Sequence, residues 1–177
     1  MAVKKQLRER ARKIKLLILD VDGVLTDGRI IYANSGDQLK FFDVKDGLGL
    51  YILSVSGIRS AILTAKSSNI VSQRSCDMCV DKAYQDVSDK AAMLETILSD
   101  FGVKAAEVCY IGDDLLDIPV LKRVGLAVGV ADAACEVKET CHYVTNKTGG
   151  RGAVRETIEL LLKNQGKWEA CIERYLS

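Results

Sequence analysis

Short runs of apolar residues alternate along the chain with segments whose apolar residues have helical spacing. The apolar runs have the length of strands that are buried on both faces of a sheet, and they lie at residues 14–19, 58–64, 108–111 and 126–130. The predicted helices cover residues 47–56, 67–76, 89–101, 115–124 and 153–163, with another from about residue 131. Strands that alternate with helices specify a parallel α/β sheet with right-handed crossovers.

Two β-rich runs, RIIYA and QLKFFDV, follow the first strand. They flank the turn signal Asn34–Asp37, which predicts a β-hairpin within residues 28–43. We therefore expect a Rossmann-like parallel sheet with helices on both faces and a small hairpin inserted after the first strand.

The chain of 177 residues has the length of one domain, and no linker, internal repeat or low-complexity tract divides it. We expect residues 1–177 to form a single domain, with 1–13 as a lead-in and 148–177 as a glycine-rich turn and helical tail. The first fifteen residues contain seven lysines or arginines, which is compatible with a nucleic-acid or targeting arm but more typical of a solvated helix.

The charges of the chain nearly cancel, because it contains 25 lysines and arginines and 24 aspartates and glutamates. A formal charge of +1 gives no electrostatic reason to expect nucleic acid or an anionic membrane as a partner. No secretory signal and no long apolar stretch is present, so we expect a cytoplasmic protein with mostly free thiols. Cys76 and Cys79 have the spacing of a metal or redox pair, and the sequence leaves that role open.

Polar residues that suit catalysis follow several of the predicted strands. Because ligands of parallel sheets bind beyond the carboxyl ends of the strands, these side chains are expected to meet. They are Asp20, Asp22, Thr64, Asp113, Asp114 and Asp117, with Lys90 at the start of a helix. Clustered carboxylates repel one another unless a cation lies between them, and a small set of oxygen ligands favours Mg²⁺. A lysine and a hydroxyl then remain to hold phosphoryl oxygens.

Each of these features is common on its own. A strand that ends in aspartate is frequent, an isolated Asp-x-Asp is often only a turn, and a lysine near a helix start is usually solvated. Their occurrence together at successive strand ends favours the catalytic interpretation.

The segment Asp20–Gly28 resembles the first motif of the haloacid dehalogenase superfamily of phosphatases. Thr64 resembles the second motif, Lys90 the third and Gly112–Asp117 the fourth, in the same order and spacing. The resemblance implies that Asp20 is the nucleophile and that Asp22 is the general acid and then the general base.

The same resemblance assigns the remaining site residues. Mg²⁺ is expected to be held by the Asp20 carboxylate, the Asp22 main-chain carbonyl and Asp113, and Asp114 and Asp117 are expected to support these ligands from behind. Thr64 and Lys90 are expected to bind the phosphoryl group.

A cap domain, which most members insert between motifs, has no room in this chain. About forty residues separate Asp22 from Thr64, and about twenty-five separate Thr64 from Lys90. The expected architecture therefore has no cap domain, and the site of one chain should be open to water.

The segments 20–28, 42–47 and 148–156 resemble those of the capless 3-deoxy-manno-octulosonate 8-phosphate phosphatase family. The resemblance extends over nearly the whole chain. This implies a phosphatase of lipopolysaccharide synthesis that works as a homotetramer. A mobile glycine-rich segment from the neighbouring subunit, with Gly149, Gly150 and Arg151, is expected to serve as the lid. The expected substrate-binding residues are Asp43, Lys45, Asp46, Gly47, Lys66 and Arg74.

Two alternatives to this substrate and activity remain. Lys45 and Lys66 stand where many members of the family carry arginine, which keeps a nine-carbon keto-acid phosphate as an alternative substrate. A non-catalytic scaffold or regulatory subunit is the alternative of another class. The intact set of acidic, hydroxyl and lysine side chains argues against it, since a binding module needs no such set.

Overall fold

The computed structural model describes residues 2–32, 34 and 38–176. The described residues form strands β1 Leu16–Leu19, β2 Ile31–Tyr32, β3 Gln38–Leu39, β4 Arg59–Leu63, β5 Lys82–Tyr84, β6 Val108–Gly112, β7 Leu126–Gly129 and β8 Tyr143–Val144. The α-helices are α1 Ala2–Lys13, α2 Val44–Val55, α3 Asn69–Asp77, α4 Lys90–Phe101, α5 Ile118–Leu121, α6 Cys135–Thr140, α7 Ala153–Asn164 and α8 Trp168–Ile172.

Six strands form one parallel sheet in the order β5-β4-β1-β6-β7-β8. The central strand β1 is buried along its whole length, which explains its uninterrupted apolar sequence. Strand order runs outward in both directions from β1, so a crevice opens beyond the carboxyl ends of β1, β4 and β6. Helices cover both faces of the sheet, and β2 pairs with β3 as a separate antiparallel hairpin. The predicted fold class is confirmed.

Three elements differ from the prediction. Strand β5 was not expected, because this short edge strand has exposed or half-exposed residues in place of an apolar run. The predicted helix 115–124 is a 3₁₀ turn at Leu115–Asp117 followed by α5, since Asp114 caps the turn. The helix expected from about residue 131 begins only at Cys135. Of the predicted hairpin turn, residues 35–37 lie outside the described residues.

The lead-in and the cysteines agree with the sequence. Helix α1 buries Ala11 and exposes most of its charged side chains, and it lies against α7. All six cysteines are free thiols. In the part of the chain that the structure describes, no helix has the length and hydropathy that crossing a bilayer would require.

Candidate active site

A cavity of about 260 Å³ lies at the carboxyl ends of the central strands. It is lined by most of the predicted site residues, namely Asp20, Asp22, Thr64, Lys66, Lys90, Asp113, Asp114 and Asp117. Each of the first three motifs reaches it from a different element, and Thr64 is fixed there because its backbone N–H donates to the Tyr84 carbonyl on β5. The topology therefore assembles in one place what the sequence spreads over about a hundred residues.

Lys90 lies at the centre of the charges in this cavity. Its side chain is only 5% exposed, and its Nζ lies 3.0 Å from Asp20 Oδ1 and 2.7 Å from Asp117 Oδ1. Burial lowers the pKa of Lys90, but the combined effect of the carboxylates of Asp20 and Asp117 is larger and in the opposite direction, so the pKa of Lys90 is raised overall. The side chain is therefore a permanent cation beside Asp20.

Asp117 organises the loop after β6. Its Oδ1 accepts hydrogen bonds from Lys90 and from the Tyr110 hydroxyl, the latter at 2.6 Å. Its Oδ2 accepts the backbone N–H groups of Asp113 at 2.9 Å and Asp114 at 3.3 Å. Gly112 is required beneath it, because a Cβ there would come within 2.6 Å of the Asp117 carboxylate. With its oxygens already used, Asp117 positions its neighbours.

Asp20 and Asp113 are the two carboxyl groups in the cavity whose pKa values are raised most. Burial raises the pKa of Asp20 to about 6, although Lys90 opposes the shift. Burial, with the negative charges of Asp20, Asp117 and Asp114, raises the pKa of Asp113 to about 7. One carboxylate oxygen from each of Asp20, Asp113 and Asp117 lies within 4.8 Å of the others. A hard divalent cation fits between Asp20 and Asp113, because it would relieve the repulsion between their carboxylates.

The loop after β1 needs glycine at position 23. Gly23 has a φ of +91°, and a Cβ there would lie 2.0 Å from Asp113 Oδ2. The buried Thr26 hydroxyl accepts the N–H groups of Gly23 at 3.4 Å and Gly28 at 3.3 Å, which folds the loop over itself. The motif Asp20–Gly28 is thus a compact turn that brings its carboxylates against Asp113.

Lys40 is a site residue that the sequence analysis missed. Its Nζ forms an ion pair with Asp22 Oδ1 from the end of the hairpin, and its side chain is only 7% exposed. The flanking Leu39 and Phe41 are exposed, so the two-residue alternation of an extended chain turns Lys40 inward. The sequence signal that could have indicated an inward-facing Lys40 is its position between two apolar residues of the hairpin.

Gly149 and Gly150 pack against the Asp20–Gly28 loop of their own chain. A Cβ at Gly149 would lie 1.7 Å from the Gly23 carbonyl oxygen, and Gly150 N–H donates to the Val24 carbonyl at 2.9 Å. Both glycines are buried. Gly149 and Gly150 are therefore held by their own chain, and the role of this segment as a lid over a neighbouring subunit stays a prediction. Arg151 is exposed, with its guanidinium 4.0 Å from the Asp27 carboxylate.

Asp46 anchors the start of α7. Its Oδ1 accepts the Arg155 backbone N–H at 2.7 Å, and its Oδ2 accepts that of Gly152 at 3.2 Å. Its burial raises its pKa to about 6. Asp46 is only 1% exposed and its oxygens accept these backbone N–H groups, and its contact with substrate stays a prediction.

Four of the predicted substrate residues, Asp43, Lys45, Gly47 and Arg74, are not among the residues that line this cavity. Asp43 caps α2 by accepting the Lys45 backbone N–H at 2.7 Å, and Lys45 is exposed. Arg74 packs over the Phe42 ring and against Gly47, where a Cβ would come within 2.6 Å of its guanidinium. A second cavity of about 360 Å³ adjoins these residues, and it is lined by Asp27, Arg29, Phe41, Phe42, Asp43, Gly150 and Arg151.

Proteins of known structure and name are similar to this chain in sequence and in fold. 3-Deoxy-D-manno-octulosonate 8-phosphate phosphatase KdsC of Escherichia coli strain K12 is 44% identical over 158 residues, which cover 89% of this chain and 84% of that protein. The crystal structure of 3-deoxy-D-manno-octulosonate 8-phosphate phosphatase from Yersinia pestis superposes with a TM-score of 0.91 at 43% identity, and the match covers 93% of this chain and 89% of that one.

A third relative was crystallised with ligands. The structure of 3-deoxy-D-manno-octulosonate 8-phosphate phosphatase from Moraxella catarrhalis in complex with magnesium ion, phosphate ion and a KDO molecule has a TM-score of 0.94 at 38% identity, covering 97% of this chain and 98% of that one. The family model of the haloacid dehalogenase-like hydrolases matches residues 55–158. With the site geometry and these relatives in agreement, the chain belongs to the haloacid dehalogenase-like hydrolase family.

Proposed function

We propose that this protein is a Mg²⁺-dependent phosphatase that hydrolyses 3-deoxy-D-manno-octulosonate 8-phosphate to the free sugar acid and phosphate. The observation that carries the proposal is the buried cluster in which Lys90 contacts Asp20 beside Asp113. Such a cluster can bind a cation and present a carboxylate to a phosphorus atom. The 44% identity to enzymes named for this reaction supports the substrate, and the reaction belongs to lipopolysaccharide synthesis.

The reaction begins with attack of an Asp20 carboxylate oxygen on phosphorus. A bond forms between that oxygen and phosphorus, and the bond to the sugar oxygen breaks with its electron pair. Asp22, as the general acid, donates a proton to the departing sugar oxygen. Asp20 is then an aspartyl-phosphate, and Lys90 holds its position through their contact at 3.0 Å.

The second step regenerates the enzyme. Asp22, now a carboxylate, takes a proton from water, and the water oxygen forms a bond to phosphorus. The bond between phosphorus and Asp20 breaks, which frees phosphate and restores both carboxyl groups. The positive charge of Lys90 and the Thr64 side chain stabilise the phosphoryl oxygens in both steps.

Asp20, Asp113 and the Asp22 carbonyl are the groups that would hold Mg²⁺. When bound, the ion neutralises the charge between the nucleophile and the phosphate. Asp117 holds Asp113 in place through the backbone N–H of that residue. Asp114 caps the following 3₁₀ turn by accepting the Leu115 N–H at 2.7 Å.

The sugar acid is proposed to lie over the mouth of the cavity. Lys66 lines the cavity itself, and Arg151 and Asp43 line the second one beside it. Cations there suit the carboxylate of the substrate, and acidic and polar groups suit its hydroxyls. A nine-carbon keto-acid phosphate carries the same groups and is the alternative substrate.

The assembly is proposed to be a homotetramer of single-domain chains spanning residues 1–177. The hairpin exposes Ile30, Tyr32, Leu39 and Phe41, and the exposed Val44 follows in α2. A cluster of exposed apolar side chains beside an open site suits contact with another subunit. The free thiols support a cytoplasmic location.

Phosphate release from a panel of keto-acid sugar phosphates tests the function. We expect turnover of the eight-carbon substrate in the presence of Mg²⁺ and none after chelation or in Asp20→Asn. Light scattering on the same sample should give the mass of four chains. Preference for a nine-carbon substrate would select the alternative, and a folded wild-type protein without activity on any substrate would overturn the enzyme proposal.

A further inference from the structure

We propose that Lys40 is a positioning residue for Asp22 in the proton-transfer step. The proposal rests on the proposed function, because Asp22 has its role as general acid only in that reaction. Lys40 lies outside the four sequence motifs and reaches the site from the hairpin. It would make the hairpin part of the catalytic machinery.

The contact between Lys40 and Asp22 is shielded from solvent. The Lys40 side chain is 7% exposed and that of Asp22 is 22% exposed, and Lys40 Nζ pairs with Asp22 Oδ1. Taking an ammonium group out of water is costly unless an opposite charge accepts its hydrogen bonds. Because the Lys40 ammonium group is largely buried, its contact with the Asp22 carboxylate is what offsets the loss of water around it.

The carboxylates of Asp20 and Asp22 contact different lysines. Lys90 contacts Asp20, whereas Lys40 contacts Asp22, so each carboxylate has its own lysine. A lysine is a compact charge on a flexible stem, and its donors rotate. It can hold one oxygen of Asp22 while the other oxygen faces the leaving group, which fixes the direction of the proton transfer.

Two other roles would be possible for a buried lysine at this position. In the first, Lys40 does no more than anchor the hairpin to the loop after β1. In the second, Lys40 binds phosphate directly. Either role would affect all phosphate esters to a similar extent. A positioning role toward the general acid instead affects esters according to how much their leaving group needs a proton.

A series of substituted phenyl phosphates, from phenyl to 4-nitrophenyl phosphate, distinguishes these roles. The value of kcat/KM covers the steps up to departure of the phenol, so water activation by Asp22 does not enter it. 4-Nitrophenolate is a good leaving group and departs without a proton. Phenolate is a poorer leaving group, so its departure depends more on receiving a proton from the general acid. We expect Lys40→Met to lower kcat/KM for phenyl phosphate about tenfold or more and for 4-nitrophenyl phosphate less than about threefold.

Controls keep the result interpretable. Asp22→Asn should show the same dependence on the leaving group, and Lys40→Met should add little to it in the double variant. Lys40→Arg keeps the charge and should restore part of the loss, and Lys40→Gln replaces Lys40→Met if that variant does not fold. Lys82, which pairs with Asp100 at 3.0 Å on the edge strand, provides the matched variant Lys82→Met, whose dependence should equal that of the wild type.

The outcomes separate this proposal from the proposed function. If the wild type hydrolyses the series with Mg²⁺ and Asp20→Asn does not, the phosphatase assignment holds. An equal loss across the series in Lys40→Met would then overturn the role of Lys40 alone. If the wild type releases no phosphate from these esters or from any keto-acid sugar phosphate, the proposed function itself fails.

Discussion

Gly149 lies directly against Gly23, so that a Cβ at position 149 would come within 1.7 Å of the Gly23 carbonyl oxygen. The contact joins the segment before α7 to the loop that carries Asp20 and Asp22. Gly150 adds a hydrogen bond from its N–H to Val24. The loop after β1 therefore takes its shape from residues near the other end of the chain.

Replacing Gly149 with alanine should displace that loop. Because backbone lies within 1.7 Å of the new Cβ, the side chain has no flexible neighbour to move aside. We expect Gly149→Ala to lower kcat at least tenfold, measured as phosphate release with Mg²⁺. Gly166→Ala is the control, since Gly166 has a φ of +67° with nothing near its Cβ position. It should cost about 1 kcal/mol of unfolding free energy and leave kcat unchanged.

Asp117→Asn tests the support of the fourth motif. The substitution removes a charge that Lys90 contacts at 2.7 Å in a buried position. We expect a loss of about 3 kcal/mol in the free energy of unfolding, measured with urea, together with weaker Mg²⁺ binding. Asp114→Asn should cost far less, because Asp114 is exposed. Equal losses for the two variants would contradict the role given to Asp117.

The metal-free protein should lose stability as the pH rises. Burial raises the pKa of Asp20 to about 6 and that of Asp113 to about 7, from a usual value of 3.8. The folded state therefore holds more protons than the unfolded state between about pH 4 and pH 7, and its stability falls across that window. Mg²⁺ favours the ionised carboxylates, so the rise in Tm that saturating Mg²⁺ produces should be larger at pH 8 than at pH 5.

A rise in Tm that is the same at both pH values would contradict this prediction. Asp113→Asn supplies the control, since removing one carboxylate should reduce the effect of Mg²⁺ at every pH. Calorimetry on the wild type should also show release of protons when Mg²⁺ binds near pH 6.

Asp46→Ala should weaken the link between α2 and α7. Asp46 accepts the N–H groups of Gly152 and Arg155, which the helix otherwise leaves without partners. We expect a loss of about 1–2 kcal/mol in unfolding free energy and a lower kcat, because Gly149 and Gly150 precede the same helix. Asp43→Ala removes a comparable cap from α2, where Asp43 accepts from Lys45. It should cost a similar free energy with a smaller effect on kcat.

The sequence predicted those site residues whose signal is local. Asp20, Thr64 and Asp113 each follow a buried apolar strand, and the parallel topology then requires that they meet. The absence of room for a cap followed from the motif spacing once the family resemblance showed where a cap would be inserted. These predictions depended on periodicity and on the order of elements, which a single chain displays directly.

The sequence could not predict contacts that depend on distant packing. Lys40 reaches Asp22 only because the hairpin folds back, and nothing near Lys40 in the sequence indicates its partner. Nothing near Asp46 in the sequence indicates that its carboxylate caps a helix more than a hundred residues away. Strand β5 lacked an apolar run because it lies at the edge of the sheet.

The dependence of the first loop on Gly149 and Gly150 has a consequence for how the protein is made. Asp20 leaves the ribosome about 130 residues before Gly149 does. Until those glycines emerge, the loop that carries Asp20 lacks the surface against which it packs. A nascent chain therefore carries Asp20 and Asp22 through about 130 further residues of synthesis before the glycines that pack against their loop are present.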